Sequence, residues 1–170
     1  MTLINNSVLI KEAELLIKLL KSKDLKLCSI ESCTGGLFSY IITSIPGSSV
    51  VYDFGIVSYS NHSKSKIAHV FDKTIEEFGS VSSKVASEMS KNIIFLSSNP
   101  EKCFSVSCTG IAGPSGGTIR KPVGTVFISF SNKNLNKVFR KHYTGLDRKK
   151  IRYNTVYDMI KNSIKIIKNL

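Results

Sequence analysis

No apolar run in this 170-residue chain approaches the length needed to cross a bilayer, which excludes a helical membrane span. The first twenty residues carry Glu12 and Glu14 within their apolar pattern, not a basic leader with a cleavage site, so a cytoplasmic location is expected. Histidine is scarce: His62, His69 and His142 are the full set, none in a context that singles it out, and each is expected at the surface or in a loop. The usual serine-histidine pair is therefore not indicated. Neither Gly-Lys-Ser nor Gly-Lys-Thr occurs, so there is no P-loop, and Gly110-x-x-Gly113-x-x-Gly116 lacks the dinucleotide spacing. Repeats and low-complexity segments are also missing.

Acidic residues are rare in one region. From Arg120 to Leu170 there are 13 Lys and Arg against 2 Asp and Glu, whereas Met1 to Ile119 has 11 against 10, so the last third supplies nearly all of the net charge of +12. An electropositive face attracts phosphorylated ligands or nucleic acid. Arginine, the residue suited to bidentate phosphate and base contacts, makes up only 4 of the 24 cations, and the abundance of Lys, Asn and Ile is what an AT-rich coding sequence produces. Nucleic-acid binding is not expected on this composition.

Cysteine is limited to two equally spaced pairs, Cys28 with Cys33 and Cys103 with Cys108. Equal spacing suggests a metal cage, but both pairs lie along predicted strands. Five steps of about 3.3 Å separate the paired sulfurs by roughly 16 Å and point them to opposite faces. Buried thiols in a reducing compartment are expected, with no metal and no organic cofactor.

What is present reads as one compact domain. Leu9, Ala13, Leu16, Ile17 and Leu20 make an amphipathic helix of Ser7 to Lys21, followed by a short strand from Leu25 to Ile30 and a helix from about Gly36 to Ile45, stopped by Pro46-Gly47. Val50 to Ser60 reads as a strand, interrupted near Asp53, with Gly55 marking a bulge or close approach. A short helix or turn is expected after Asn61 and a short helix from Asp72 to Phe78, then a longer one from Ser82 to Leu96 burying Val85, Met89, Ile93 and Leu96. Cys103 to Cys108, Val123 to Phe130 and Lys137 to Tyr143 read as strands, the last two joined as a hairpin across Ser131 to Asn136. Asp147 to Lys168 closes the chain as a helix burying Ile151, Val156, Met159, Ile160, Ile164 and Ile167. Helices bracketing crossovers and a hairpin predict an α/β fold: a three-layer α/β/α sandwich with a mixed sheet, a single domain over 1–170.

Two loops stand out, each following a strand and so lying at the sheet edge where α/β folds place ligands. The first is Ser29-Ile30-Glu31-Ser32-Cys33-Thr34-Gly35-Gly36, a strand-turn-helix corner. A serine there is either a helix cap or a nucleophile beside unpaired backbone N–H groups. The second is Thr109-Gly110-Ile111-Ala112-Gly113-Pro114-Ser115-Gly116-Gly117. Without a histidine base, the remaining option is a lysine kept neutral by burial; Lys64, in Tyr59-Ser60-Asn61-His62-Ser63-Lys64, is either that base or a solvated cation, and Tyr59 stands close enough in sequence to relay or hold a proton.

Taken together, Glu31 to Gly36, Gly47-Ser48-Ser49, Gly55 through Tyr59-Ser60-Asn61 to Lys64, Thr109 to Pro114 with Gly116-Gly117, and Lys121-Pro122-Val123-Gly124-Thr125 resemble the C-terminal domain of the CinA family. The resemblance runs in order from about Cys28 to Phe130. Standalone domains of this kind are nicotinamide-nucleotide amidases, so the resemblance implies hydrolysis of the carboxamide of nicotinamide mononucleotide to nicotinate mononucleotide and ammonia. It implies Ser32, Tyr59 and Lys64 as catalytic residues, with no metal. Cys33, Thr34 and Gly35 would supply oxyanion or substrate contacts, and Thr109, Gly110 and Gly113 would line the pocket. A nucleotide partner and a homo-oligomer are expected, without membrane association. The alternative is a non-catalytic nucleotide-binding or competence- and DNA-associated module of the same fold. Two departures from the family pattern stand out: Ser115 replaces a commonly acidic or glycine residue, and Gly145-Leu146-Asp147-Arg148 carries an extra residue before its arginine.

Overall fold

A computed structural model describes residues 4–170. Five strands and six helices follow in the order α1 (Asn6–Ser22), β1 (Lys26–Glu31), α2 (Leu37–Thr43), β2 (Tyr52–Val57), α3 (Asn61–Lys66), α4 (Asp72–Phe78), α5 (Ser83–Asn92), β3 (Cys103–Gly110), β4 (Thr125–Asn132), β5 (Leu135–His142) and α6 (Arg148–Lys168). The sheet order is β2-β1-β3-β4-β5. β1 runs parallel to both β2 and β3, while β4 and β5 are antiparallel additions. This is the mixed three-layer sandwich expected, with α1, α2 and α6 over one face and α5 with its neighbours over the other.

The larger core lies under α1, α2 and α6. Leu9, Ala13, Leu16, Ile17 and Leu20, the predicted stripe of α1, are all buried there, packed with α6 and α2 in one cluster that also holds Val126, Ile128 and Phe130 of β4. The opposite face is unusual in being polar and buried. Ser105, Ser107 and Thr109 alternate along β3, and their hydroxyls donate to the carbonyls of Ser90, Ala86 and Ser80 at 2.6, 2.6 and 2.8 Å. Ser90 also shares hydrogen bonds with Ser129 and Ser131 of β4 at 2.8 and 2.7 Å. A hydroxyl buried with a partner costs little, so these residues let α5 approach the sheet closely, whereas Thr125 of β4 keeps a buried hydroxyl oxygen without a partner among the described residues.

Several boundaries shift for local reasons. β2 has its irregularity at Asp53, where the register with β1 slips between Leu27 and Cys28. Gly55 marks a close approach, since a Cβ there would collide with Tyr52 Oη and Ser39 Oγ. Leu96, expected to be buried, is exposed, because the chain tightens into a 3-10 turn at Ile93–Leu96 and leaves the 3.6-residue period. Ile164 is half-buried, while Ser163, Ile166 and Ile167 are the buried residues of that turn of α6.

The cysteines are all buried and free, but their neighbours are across strands, not along them. Cys28 of β1 faces Cys103 of β3 with sulfurs 3.5 Å apart, and Cys33 meets Cys108 on the other face of the sheet. The close sulfurs belong to neighbouring strands, so the distance along one strand does not govern which cysteines meet. Among the described residues no three Cys, His, Asp or Glu side chains converge. The three histidines are exposed.

Candidate active site

β1 and β3 end side by side, and the chain leaves β1 through Ser32, whose amide still donates to Cys108 O at 3.1 Å. Gly35 and Gly36 then take φ of +58° and +88°, a left-handed turn that residues with a Cβ adopt only under strain. The open head of α2 is filled by Glu31. Its buried carboxylate accepts the amides of Phe38 and Ser39 at 3.0 and 2.9 Å and the Ser39 hydroxyl at 2.6 Å. The capping alternative for Ser32 is thereby closed: α2 is capped by the residue before it, and the Ser32 hydroxyl is left for other work.

That hydroxyl meets Lys64. Ser60 caps α3 by accepting the Ser63 amide, which sets the helix so that Lys64 turns inward toward the end of β1. Lys64 is only 2% exposed, and its Nζ lies 2.9 Å from Ser32 Oγ, 3.1 Å from Tyr59 O and 3.2 Å from Ser58 O. No carboxylate pairs with it among the described residues. Burial lowers its pKa below the ordinary lysine value, with Cys33 and Cys108 opposing weakly. A neutral amine has two N–H groups and one lone pair. In that form the two carbonyls would take the N–H groups and leave the lone pair for the Ser32 hydroxyl. The solvated alternative for Lys64 does not hold.

A cavity of about 190 Å³ opens over this pair. Ser32, Cys33, Tyr59, Lys64, Thr109 and Gly110 line it, as the sequence led us to expect. Three expected residues do not. The Thr34 side chain turns inward to Cys108 Sγ at 3.1 Å, Gly35 spends its amide on Ser32 O at 3.1 Å, and Gly113 packs against Val123 while its carbonyl accepts Arg148 Nη1 at 2.8 Å. The amides of Cys33 and Thr34, the two residues that follow Ser32, donate to no other residue among those described.

Tyr59 is placed differently from its expected role. Its ring is 59% exposed at the mouth, and its hydroxyl accepts from Arg148 Nη2 at 3.0 Å, with no hydrogen bond to Ser32 or Lys64. It is the main-chain carbonyl of Tyr59 that touches the lysine.

Asn61, Ser80, Val81, Ala112 and Arg148 complete the lining and were not among the site residues expected from the sequence. Asn61 and Ala112 sit inside the two motifs already noted. Ser80 and Val81 follow the left-handed Gly79 that ends α4, and Thr109 reaches back to the Ser80 carbonyl. Arg148 had only the irregular Gly145 to Arg148 segment to mark it. Despite that irregularity, α6 begins over the site, with Asp147 as its cap. Arg148 reaches the mouth, and Arg152, one turn on, clamps Thr34 O through Nε and Nη2 at 3.1 and 2.6 Å.

No helix among the described residues is long and apolar enough to cross a membrane. The model of the CinA C-terminal domain matches residues 10–166. A protein of Thermoanaerobacter pseudethanolicus whose name calls it competence-damage inducible is 46% identical over 143 residues, 84% of this chain and 34% of its own length. A CinA-like protein of Amoebophilus asiaticus is 46% identical over 122 residues, 71% of this chain and 28% of its own. The chain thus spans about a third of the length of the curated relatives it matches. Among solved structures, the competence/damage inducible protein CihA from Agrobacterium tumefaciens superposes with a TM-score of 0.89 at 33% identity, covering 98% of this chain and 99% of that one. A CinA superfamily protein from Escherichia coli gives 0.88 at 26% identity, over 98% and 94%. With the family model spanning nearly the whole fold and a relative at 46% identity, the chain belongs to the CinA C-terminal domain family.

Proposed function

We propose that this domain is a nicotinamide-nucleotide amidase, hydrolysing the carboxamide of nicotinamide mononucleotide to nicotinate mononucleotide and ammonia. The observation that carries the reading is the buried Lys64 Nζ, 2.9 Å from Ser32 Oγ and bonded otherwise only to carbonyls. A lysine in that setting serves as a base for serine. Ser32 Oγ attacks the amide carbon while Lys64 takes its proton. The ammonium form of Lys64 then donates to the departing nitrogen, so ammonia leaves and an ester to Ser32 remains. Water attacks the ester with Lys64 again as base, which releases the carboxylate and restores the serine. The unengaged amides of Cys33 and Thr34 are the donors for the tetrahedral oxyanion.

The cavity is small for a whole nucleotide but suited to a ring bearing a carboxamide. On this reading the ribose phosphate lies toward the mouth, where Arg148 and the exposed Tyr59 stand. Tyr59 therefore shapes the entrance and fixes Arg148 instead of relaying a proton.

The test is product formation. Purified protein given nicotinamide mononucleotide should release ammonia and nicotinate mononucleotide in equal amounts. Ser32→Ala should lower turnover by a factor on the order of 10⁴ or more with an unchanged circular dichroism spectrum. Ammonia release that persists in the variant would remove Ser32 from the mechanism.

A further inference from the structure

All four cysteines are free, and none of their sulfurs takes part in the proposed hydrolysis. Cys28 and Cys103 lie in the core with Met89, Ile93 and Ile94, at 0% and 1% exposure, their sulfurs 3.5 Å apart. Cys33 and Cys108 lie on the other side of the sheet, at the end where the candidate site is built. Both residues flanking Cys33 bind Cys108: the Ser32 amide donates to its carbonyl at 3.1 Å, and the Thr34 hydroxyl stands 3.1 Å from its sulfur. The Cys33 thiol donates to that same sulfur, which draws the Cys108 thiol below its ordinary pKa in spite of burial. Thiolate character of that kind makes a sulfur nucleophilic.

Access separates the two pairs. Cys28 and Cys103 are packed among apolar side chains, whereas Cys33 lines the cavity of about 190 Å³ beside Ser32 and Lys64. A molecule little larger than water reaches it there. A thiol on a cavity wall with a second thiol against it has its resolving partner in place, so an oxygen added to the first sulfur is displaced by the second. In a reducing compartment such a pair stays as thiols until an oxidant arrives.

We propose that Cys33 and Cys108 are a modification site for small hydroperoxides, which join the two sulfurs and shut the candidate active site. With hydrogen peroxide, the Cys33 sulfur attacks one oxygen and the O–O bond breaks; the thiol proton goes to the departing oxygen, leaving a sulfenic acid and one water. The Cys108 sulfur then displaces the hydroxyl, which takes the Cys108 proton and leaves as a second water. The two sulfurs lose two electrons and the peroxide gains them. The new bond draws Cys33 off the cavity wall and displaces the corner that carries Ser32. Bond formation is independent of the amidase reading, and only its effect on turnover rests on that reading.

The reduced full chain, given equimolar hydrogen peroxide at neutral pH, should lose the mass of two hydrogens and two of its four thiols, with the Cys33 and Cys108 peptides joined. Turnover of nicotinamide mononucleotide should fall about tenfold or more and return with dithiothreitol. Cys108→Ser keeps an oxygen for the Thr34 hydroxyl and lies outside the cavity lining; it should form no bond and carry added oxygen on Cys33 instead. Cys28→Ser should be oxidised as the wild type is, and circular dichroism verifies that both variants fold. Four thiols intact after peroxide, a bond between Cys28 and Cys103 in place of this one, or a bonded protein with full turnover would overturn the proposal. A chain that forms the bond but never releases ammonia would remove the amidase reading and leave the dithiol site standing.

Discussion

Two buried ionisable residues bracket the stretch from Ser32 to Ser63. Lys64 is buried without a counter-ion and is held by carbonyls; Glu31 is buried and saturated by donors. The lysine faces the candidate cavity, and the glutamate holds the corner that carries Ser32. Replacing Glu31 by Ala leaves the amides of Phe38 and Ser39 without their partner in a buried place. Each such orphan costs about 1–3 kcal/mol, so Glu31→Ala should lose on the order of 2–4 kcal/mol in urea unfolding. A loss below about 0.5 kcal/mol would mean that α2 is held in place without this cap. The importance of Ser32 was legible from the glycines that follow it, whereas the choice between cap and nucleophile was not. That choice depended on which side chain reached the head of α2, and Glu31 stands within strand β1, where a sequence pattern gives no sign of capping.

At the scale of elements, the site is assembled where β1, β2 and β3 end, and α6 ties it together. The amphipathic stripes of α1 and α6 and the mixed sheet were legible because burial on one face leaves a clear period. The α5 face was not, because Ser105, Ser107 and Thr109 read as a solvent side while lying under a helix with their hydroxyls satisfied. The two arginines at the start of α6 were also illegible: 118 residues separate Arg152 from Thr34, the carbonyl it clamps. Arg152 touches the corner backbone and not the cavity, so it is a positioning residue. Arg152→Ala should lower kcat on the order of tenfold with KM nearly unchanged, since a corner displaced by a fraction of an ångström loses geometry more than binding. Arg152→Lys, which offers one donor in place of a fork, should recover only part of the rate. A variant that raises KM with kcat intact would place Arg152 in substrate binding instead.

For the molecule as a whole, charge, fold and chemistry divide the surface into regions. The basic last third supplies α6 and β5, and the candidate cavity opens where the strands end. Arg148 joins the first region to the second by reaching from α6 to Tyr59 and Gly113 at the mouth. The account rests on Lys64 being a base, and the pH dependence of the rate tests that directly. Burial lowers the pKa of Lys64, so the neutral form gains population as pH rises through a value below the reference of about 10.4. Turnover of nicotinamide mononucleotide should therefore climb with pH along a single ionisation and level off below that reference. Lys64→Arg keeps the cation but gives up no proton in this range, so it should be almost as inactive as Ser32→Ala at every pH. An arginine variant that keeps most of the wild-type rate, with the wild-type pH profile, would contradict the account.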